Sequence, residues 1–366
     1  MADPDPGTTL GVEEEFHLVD PDRRVLAPSA IDVVAAAEKR GVAVDPEFQR
    51  TSVETATAVC RSLGEVRQQL ISRRRDAARA AAETGAALMA CGTVPMPAAA
   101  AHPVYPDERY VWMAHEFGQV AAEHQVCACQ VQVGVPDPDI GVGVLNRVRR
   151  WLPVLLALTA SSPFWDGRDT SFASYRTMLW ARWPTAGPTG SFASAQEYRD
   201  VVANLQRTGA ARDRGMIYFD ARISHRYPTV EIRVADACPR VDDAVLLAGL
   251  GRALVTTAAR TTVVDGPADD ARVELLRAAT WRAARSGLTG ELVDPLTWTA
   301  RPATDVVQVL VDHLRDALRD SGDHAEVTDL LGAVLSGGTS AQRQRRVHAD
   351  GSFDDVVDSL LAETMA

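Results

Sequence analysis

The sequence predicts an α+β fold, because its strand-like and helix-like segments occupy different parts of the chain. Short segments that alternate apolar and polar residues, as half-buried strands do, fall between residues 9 and 236. From residue 241 almost to the end the pattern is helical. No internal repeat and no long linker separates the two parts. We therefore expect one domain, 1–366, in which the helical part 241–366 packs on the strand-rich part 9–236.

Local signals place the individual elements. Capping boxes of the form S-x-x-E begin helices at Ser62 and Ser194, and Gly41 ends one in the left-handed position that glycine favours. In chain order we expect a strand at 9–20, a helix from 29 to 40, a strand at 48–60, a helix from 62 to about 89, a helix from 107 to about 125, a strand at 126–135, a helix at 143–160 interrupted at Pro153, a helix from 194 to about 206, and two strands within 216–236.

Composition excludes several classes of protein. Hydrophobic residues make up 46% of the chain, enough for a large core, and the net charge of −11 argues against a nucleic-acid partner. No apolar run is long enough to span a bilayer, so no membrane association is expected. The first nine residues lack the features of a signal peptide, and the five cysteines lack CxxC spacing. We expect a reduced, cytoplasmic protein. The single lysine, Lys39, excludes a P-loop.

Four of the predicted strands carry polar side chains on one face. In the segment 229–236, Val230 and Ile232 point into a core, whereas Glu231 and Arg233 point the opposite way. The other strands repeat this pattern with Glu13 and Glu15, with Glu54, and with Gln130 and Gln132. The alternative is that these are unrelated strands with solvated carboxylates.

Carboxylates that face one cavity need a compensating cation. A pair about 4 Å apart repels by about 1 kcal/mol in water and about 4 kcal/mol at an effective dielectric near 20. An oxygen-only ligand set suits Mg²⁺, or Mn²⁺, better than zinc, and no HExxH spacing is present. Hard metals beside arginines are suited to stabilising a phosphoryl group in transfer. The segment around Trp180 and Trp183 is rich in arginine and tryptophan, and its rings suit either a core or a binding platform.

Six ordered segments resemble the carboxylate–amine ligase family, also called glutamate–cysteine ligase type 2. They are GVEEEF at 11–16, CGTVP at 91–95, CQVQVGV at 129–135, ALTASSPFWDG at 157–167, DAR at 220–222 with TVEIRV at 229–234, and WRAARSGL at 281–288. The resemblance implies the fold of glutamine synthetase, an antiparallel sheet curved into a funnel with helices outside. It implies that the domain is catalytic. It also implies an ATP-dependent ligase that makes a γ-glutamyl amide from glutamate and an amino acid through an acyl phosphate, and a homodimer.

The resemblance also implies roles for individual residues. Arg233, Arg222 and Glu231 would be catalytic, and Arg233, Arg222 and Gln132 would contact ATP. The metal would be held by Glu13, Glu15, Glu54, Gln130 and Glu231. Substrate contacts would come from Arg176 and Arg285, candidates for the α-carboxylate of glutamate, and from Thr93 and Thr55.

The sequence departs from the family pattern at four places. Gln130 and Gln132 replace the two histidines of the HVHVG strand, Val94 replaces the histidine of GTHP, and Ser161 replaces an asparagine. A glutamine can still offer a carbonyl oxygen to Mg²⁺, but it carries no charge. These changes favour an altered choice of substrate, with cysteine or another amino acid as the amine. The alternatives are neutral drift, a degraded or non-ATP site in a non-catalytic nucleotide- or metabolite-binding relative, and a ligase that acts on a different carboxylate.

Overall fold

The structure, a computed structural model, describes residues 5–97, 103–266 and 270–366. Its strands are β1 (Leu10–Asp20), β2 (Val25–Leu26), β3 (Asp45–Pro46), β4 (Ser52–Ala56), β5 (Ala87–Met89), β6 (Cys129–Gly134), β7 (Phe164–Trp165), β8 (Arg168–Asp169), β9 (Ala221–Ile223), β10 (Thr229–Ile232), β11 (Glu291–Val293) and β12 (Ala300–Pro302). Its helices are α1 (Ala30–Lys39), α2 (Leu63–Ala82), α3 (Glu108–Phe117), α4 (Gln119–Ala122), α5 (Pro138–Val148), α6 (Leu152–Thr159), α7 (Tyr175–Trp180), α8 (Ala195–Arg207), α9 (Val241–Asp265), α10 (Val273–Ser286), α11 (Ala303–Asp320), α12 (His324–Gly337), α13 (Ser340–Asp350) and α14 (Phe353–Met365).

One open antiparallel sheet positions the site. Its strands run in the order β3-β4-β1-β6-β10-β9, and β2 and β5 also pair with β1. Every strand pair in the sheet is antiparallel, so the predicted α+β class is confirmed. The central strand β1 alternates as predicted from Leu10 to Phe16, and residues 16–19 are all buried. Leu10, Val12, Phe16 and Leu18 are at most 2% exposed. Helices α2 and α9 pack behind β1 and β6, which leaves the other face of the sheet for polar side chains.

The helix predicted to run to about Met89 is wrong in its second half. Helix α2 ends at Ala82, and Gly85 follows with φ +76°, a left-handed conformation that stops a helix. Residues 87–89 instead form β5, which pairs with residues 17–19 of β1. The helix predicted from Asp107 is likewise divided at Gly118, where φ is +50°.

A buried ion pair fixes the back of the central strand. Glu14 interrupts the apolar face of β1, and the structure supplies the partner that the sequence did not reveal. Arg74 on α2 donates from Nε to Glu14 Oε2 at 3.0 Å and from Nη2 to Oε1 at 2.5 Å. The same guanidinium donates to the carbonyls of Cys238, Pro239 and Thr364. Such a fully hydrogen-bonded pair avoids the cost of an unpaired buried charge.

Two expectations from composition can be compared with the structure. All five cysteines are free and buried. Within 5–97, 103–266 and 270–366, no helix is both long and apolar enough to cross a bilayer.

Candidate active site

The polar face of the sheet forms the floor of a cavity of about 830 Å³. Nine of the twelve residues predicted from the sequence line it. They come from β1, β4, β6, β9 and β10 with their flanking residues and from α7: Glu13, Glu15, Glu54, Gln130, Gln132, Arg222, Glu231, Arg233 and Arg176. The acidic side chains from separate strands therefore converge on one cavity.

Strand register explains this convergence. Glu15 lies opposite Glu54 on β4, and Glu13 lies opposite Gln130 on β6. Glu231 on β10 lies opposite both Gln132 and Arg222. Directly opposed residues of an antiparallel pair project from the same face of the sheet, so each register match adds a polar group to the cavity.

Three carboxylates form an acidic triad: Glu15, Glu47 and Glu54. One carboxylate oxygen from each lies within 4.8 Å of the others. Among the described residues this is the one group of at least three histidine, cysteine or acidic side chains close enough to hold a metal ion. An all-oxygen set of this kind fits Mg²⁺ or Mn²⁺.

Burial makes the triad hold its protons more tightly than exposed carboxylates do. Burial raises the pKa of Glu15 to about 7, and the charge of Glu47 acts in the same direction. Burial also raises the pKa of Glu54 well above its ordinary value, helped by the neighbouring charges of Glu47, Glu13 and Glu15. The pKa of Glu47 is raised as well, chiefly by burial. A divalent cation would favour the charged forms and displace these protons.

Glu231 is in the opposite electrostatic state. Arg222 donates from Nε to its Oε2 at 3.0 Å, and Arg233 contacts its Oε1 through Nη1. Burial alone would raise the pKa of Glu231, but the charges of Arg233 and Arg222 outweigh burial and lower it to about 2. Arg222 also donates to the carbonyls of Gly215 and Ile217, which hold it at the cavity wall. Both oxygens of Glu231 thus contact arginines, and Glu231 is not part of the acidic triad.

The two glutamines that replace histidines connect these groups. Gln130 donates from Nε2 to Glu15 at 2.9 Å and accepts from Arg233 through Oε1. Gln132 donates to Glu13 at 3.3 Å and accepts from the hydroxyl of Thr229. Each amide therefore joins a carboxylate to a donor on β10 or beside it.

Arg176 reaches the cavity from α7 and is almost fully buried. It donates to the carbonyls of Val234 and Arg233 at 3.3 and 3.4 Å, and its guanidinium stacks over Trp180 at 5.5 Å. Asp236 lies 3.8 Å away and accepts from the hydroxyl of Ser162 at 2.7 Å, among other donors. Arg176 is consequently a rigid positive group in the wall.

The structure does not bring three of the predicted substrate residues to the cavity. Thr55 is 2% exposed and follows Glu54, so the alternation of β4 turns it to the opposite face. Thr93 is buried and donates to the carbonyl of Phe164 at 2.7 Å. Arg285 lies on the exposed side of α10, where it contacts the carbonyl of Ser171. These three positions do not support substrate contact.

Other lining residues were missed by the sequence interpretation. Glu47 follows the two-residue strand β3, which is too short to show any alternation. Besides His225 and Tyr227 at the β9–β10 hairpin, six aromatic rings line the cavity: Phe48, Tyr110, His124, Trp180, Trp183 and Tyr218. Only the two tryptophans were noted, as a core or a binding platform. The acidic pattern Asp45-Pro46-Glu47 was the one available signal for the third carboxylate.

Comparisons with known proteins identify relatives along nearly the whole chain. The family described as "Glutamate-cysteine ligase family 2 (GCS2)" matches residues 9–359. A "Putative glutamate--cysteine ligase 2-2" of Frankia alni is 47% identical over 97% of each chain. A "Putative glutamate--cysteine ligase 2-1" of Streptomyces avermitilis is 43% identical over 97% of this chain and 99% of its own.

Two solved structures share the fold at low sequence identity. The glutamate–cysteine ligase of Francisella tularensis in complex with AMP superposes with a TM-score of 0.70 at 13% identity, over 98% of this chain and 89% of its own. A bifunctional glutathione synthetase from Pasteurella multocida gives a TM-score of 0.71 at 16% identity, over 98% of this chain and 52% of its own. These matches agree with the fold expected from the sequence.

Proposed function

Since the chain belongs to glutamate–cysteine ligase family 2, whose members are ligases, we propose that it joins the γ-carboxylate of glutamate to a primary amine at the expense of ATP. The observation that carries the proposal is the acidic triad beside the arginine pair Arg222 and Arg233 on one face of the sheet. The first group suits a hard cation and the second suits phosphate oxygens, and phosphoryl transfer needs both.

The first step makes γ-glutamyl phosphate. A γ-carboxylate oxygen of glutamate attacks the γ-phosphorus of ATP, the bond from that phosphorus to the bridging oxygen breaks, and ADP leaves. Negative charge spreads over the oxygens of the transferring group. Arg233 and Arg222, held by Glu231, would stabilise that charge.

Glu15, Glu47 and Glu54 are the residues that would hold Mg²⁺. When bound, the ion would neutralise phosphate charge and orient the transferring group. Glu13 lines the same floor and could complete the coordination of the cation. Gln130 could do so only if its Oε1 no longer accepted the hydrogen bond from Arg233. Arg176 lines the cavity and would contact a substrate carboxylate. Gln132 also lines the cavity, and the amide hydrogen that does not bond to Glu13 would donate to a nucleotide phosphate.

The second step transfers the glutamyl group to the amine. The nitrogen lone pair attacks the carbonyl carbon, the bond from that carbon to the phosphate oxygen breaks, and inorganic phosphate leaves. The nitrogen loses a proton, which a cavity carboxylate accepts, and an amide remains.

Hydroxylamine tests the proposal without knowledge of the natural amine, because it captures an acyl phosphate as a hydroxamate. The purified protein is incubated with glutamate, ATP, Mg²⁺ and hydroxylamine, and γ-glutamyl hydroxamate and ADP are quantified. We expect equimolar formation of both, dependent on glutamate and on Mg²⁺. ATP binding without hydroxamate would instead indicate a non-catalytic relative. Hydroxamate from another carboxylate in place of glutamate would indicate a ligase with a different acyl substrate.

A further inference from the structure

The cavity lining has two parts with different chemistry. The part near the β9–β10 hairpin is polar and includes Arg214, Ser224, His225 and Arg226. The other part carries six aromatic rings with Met113 and Val126, and two guanidinium groups lie over its rings: Arg109, paired with Asp213, over Tyr110 and Arg176 over Trp180. The acidic triad lies next to these rings, because Glu47 directly precedes Phe48 and the Tyr110 hydroxyl donates to the carbonyl of Pro46 at 3.4 Å.

The rings form one continuous aromatic wall: Phe48, Tyr110, His124, Trp180, Trp183 and Tyr218. Neighbouring ring centroids are close: 5.7 Å for Phe48 and Tyr110, 6.3 Å for Phe48 and Trp183, 5.4 Å for His124 and Trp180, and 4.8 Å for Trp180 and Tyr218. The rings come from several separate elements and pack against one another at edge-to-face or tilted angles, which are favourable for aromatic pairs.

The wall contains no strong base. His124 accepts a hydrogen bond at Nδ1 from Nε1 of Trp183 at 3.1 Å, which leaves its proton on Nε2. Burial lowers the pKa of His124 to about 3, so the imidazole stays neutral. Among the described lining residues there is also no cysteine. The wall therefore offers ring surface rather than groups that would recognise a thiol.

From this juxtaposition we infer that the amine substrate carries an aromatic or bulky apolar group, which binds against the aromatic wall while its amino group lies beside the acidic triad. The inference rests on the proposed function and specifies its second substrate. Apolar surface gains free energy on leaving water, and ring–ring contacts add to it. An ammonium group is attracted by the faces of aromatic rings, and it would lose a proton to a cavity carboxylate before its lone pair attacks the acyl phosphate. Phe48, Trp183 and Tyr218 are buried, so the ring surface open to a ligand comes chiefly from Tyr110, His124 and Trp180. A small amine such as methylamine, or cysteine, would cover little of that surface.

The test compares amines under identical conditions, with the full chain, glutamate and Mg²⁺·ATP. Cysteine, alanine and methylamine are compared with phenylalanine, phenethylamine and isoamylamine, and γ-glutamyl products are quantified by mass spectrometry. We expect kcat/KM for the best aromatic or bulky apolar amine to exceed that for cysteine by at least tenfold. Phenylalanine and phenethylamine have the same ring, so their comparison shows whether the amine substrate needs a carboxylate.

The outcomes separate this inference from the proposed function. If γ-glutamyl hydroxamate forms but cysteine or methylamine is used as well as the aromatic amines, the inference is overturned and the ligase proposal stands. If no hydroxamate forms with glutamate, both are overturned.

Variants of Trp180 test the wall itself. Trp180→Leu should lower the ratio of kcat/KM for the aromatic amine to that for cysteine at least fivefold, whereas Trp180→Phe should retain most of it. The matched control is Trp281→Leu, because Trp281 lies on α10, is 45% exposed and does not line the cavity. Thermal melts confirm that each variant is folded. A ratio unchanged in Trp180→Leu, or one that falls equally in Trp281→Leu, would overturn the assignment of the wall to the amine.

Discussion

Two groups of buried glutamates share the floor of the cavity, yet their protonation differs. Burial raises the pKa values of the acidic triad, and repulsion from neighbouring carboxylates adds to this at Glu15 and Glu54. Glu231, two strands from β1, has a pKa of about 2 because two arginines outweigh burial. All of these residues are glutamates that line one cavity, so the neighbouring charges decide whether each carboxylate is ionised. The triad is thus ready to exchange protons for a cation, whereas Glu231 is already neutralised.

The largest expected effect comes from removing the charge of Glu231. Glu231→Gln would leave Arg222 and Arg233 facing each other without a shared anion, so both would move and phosphate binding would fail. We expect kcat to fall by about 10²–10³-fold, the usual size for loss of a preorganised charge contact. ADP release with glutamate and hydroxylamine measures it.

The matched control is Glu14→Gln on the back of the same sheet. It also removes a carboxylate from a buried arginine, but outside the cavity. Breaking such a pair costs about 3–5 kcal/mol of stability, and kcat of the folded protein should stay near that of the wild type. Equal losses of kcat in both variants would show that Glu231 affects activity only by stabilising the fold.

The next effect concerns the triad. Glu54→Gln removes one of three anionic ligands, so the Mg²⁺ concentration for half-maximal activity should rise at least tenfold, while high Mg²⁺ recovers part of the rate. Titration of activity with Mg²⁺ measures this. Glu38→Gln, an exposed change on α1, should leave the Mg²⁺ dependence unaltered. Loss of rate without any shift in the Mg²⁺ requirement would argue against the triad as the metal site.

A smaller effect is expected in the pH dependence of stability. The pKa of Glu15 is about 7 in the folded, metal-free protein, and its ordinary value is 4.5. Between these values the unfolded chain has lost a proton that the folded chain keeps, so this contribution to stability falls as pH rises. With EDTA present we expect the Tm to drop by roughly 5 °C between pH 5.5 and 8, and Mg²⁺ to restore it.

Glu54→Gln provides the internal comparison for that experiment, because it removes one repelling carboxylate. Its metal-free Tm should depend less on pH than that of the wild type. A Tm of the wild type that rises from pH 5.5 to 8 with EDTA would contradict the raised pKa values of the triad.

The smallest effect should come from restoring a family histidine. Gln130→His places a nitrogen ligand between Glu15 and Arg233, where the amide now joins them. Nitrogen favours softer metals, so the ratio of activity with Mn²⁺ to activity with Mg²⁺ should rise severalfold. An unchanged metal preference would indicate that position 130 contributes only to the hydrogen bonds of the floor.

Much of the fold could be predicted because it depends on local patterns. The alternation of β1, the capping box at Ser62 and the paired strands near Arg233 were all visible in the sequence. The end of α2 was not, since residues 87–89 become a strand only by pairing with β1. Tertiary contacts decide the state of such a short segment.

Site residues could be predicted where they lie on regular strands. Glu13, Glu15 and Glu54 were found because each faces the cavity by its place on a regular strand. Glu47 and the aromatic wall lie mostly on loops and short helices, where sequence spacing does not indicate direction. The contacts of Glu231 with both Arg222 and Arg233 also depend on side-chain conformation, which strand alternation does not encode.

The hydrogen bonds of Arg74 have a consequence for folding during translation. This one guanidinium joins a glutamate at position 14 to carbonyls at 238, 239 and 364, so the middle of the sheet depends on residues that are synthesised 350 positions apart. During translation, the strand that bears Glu13 and Glu15 lacks this support until residue 364 has been made. Contacts of such wide separation form late and slowly. Ribosome-bound nascent chains should therefore remain protease-sensitive and inactive until residue 364 has left the ribosome.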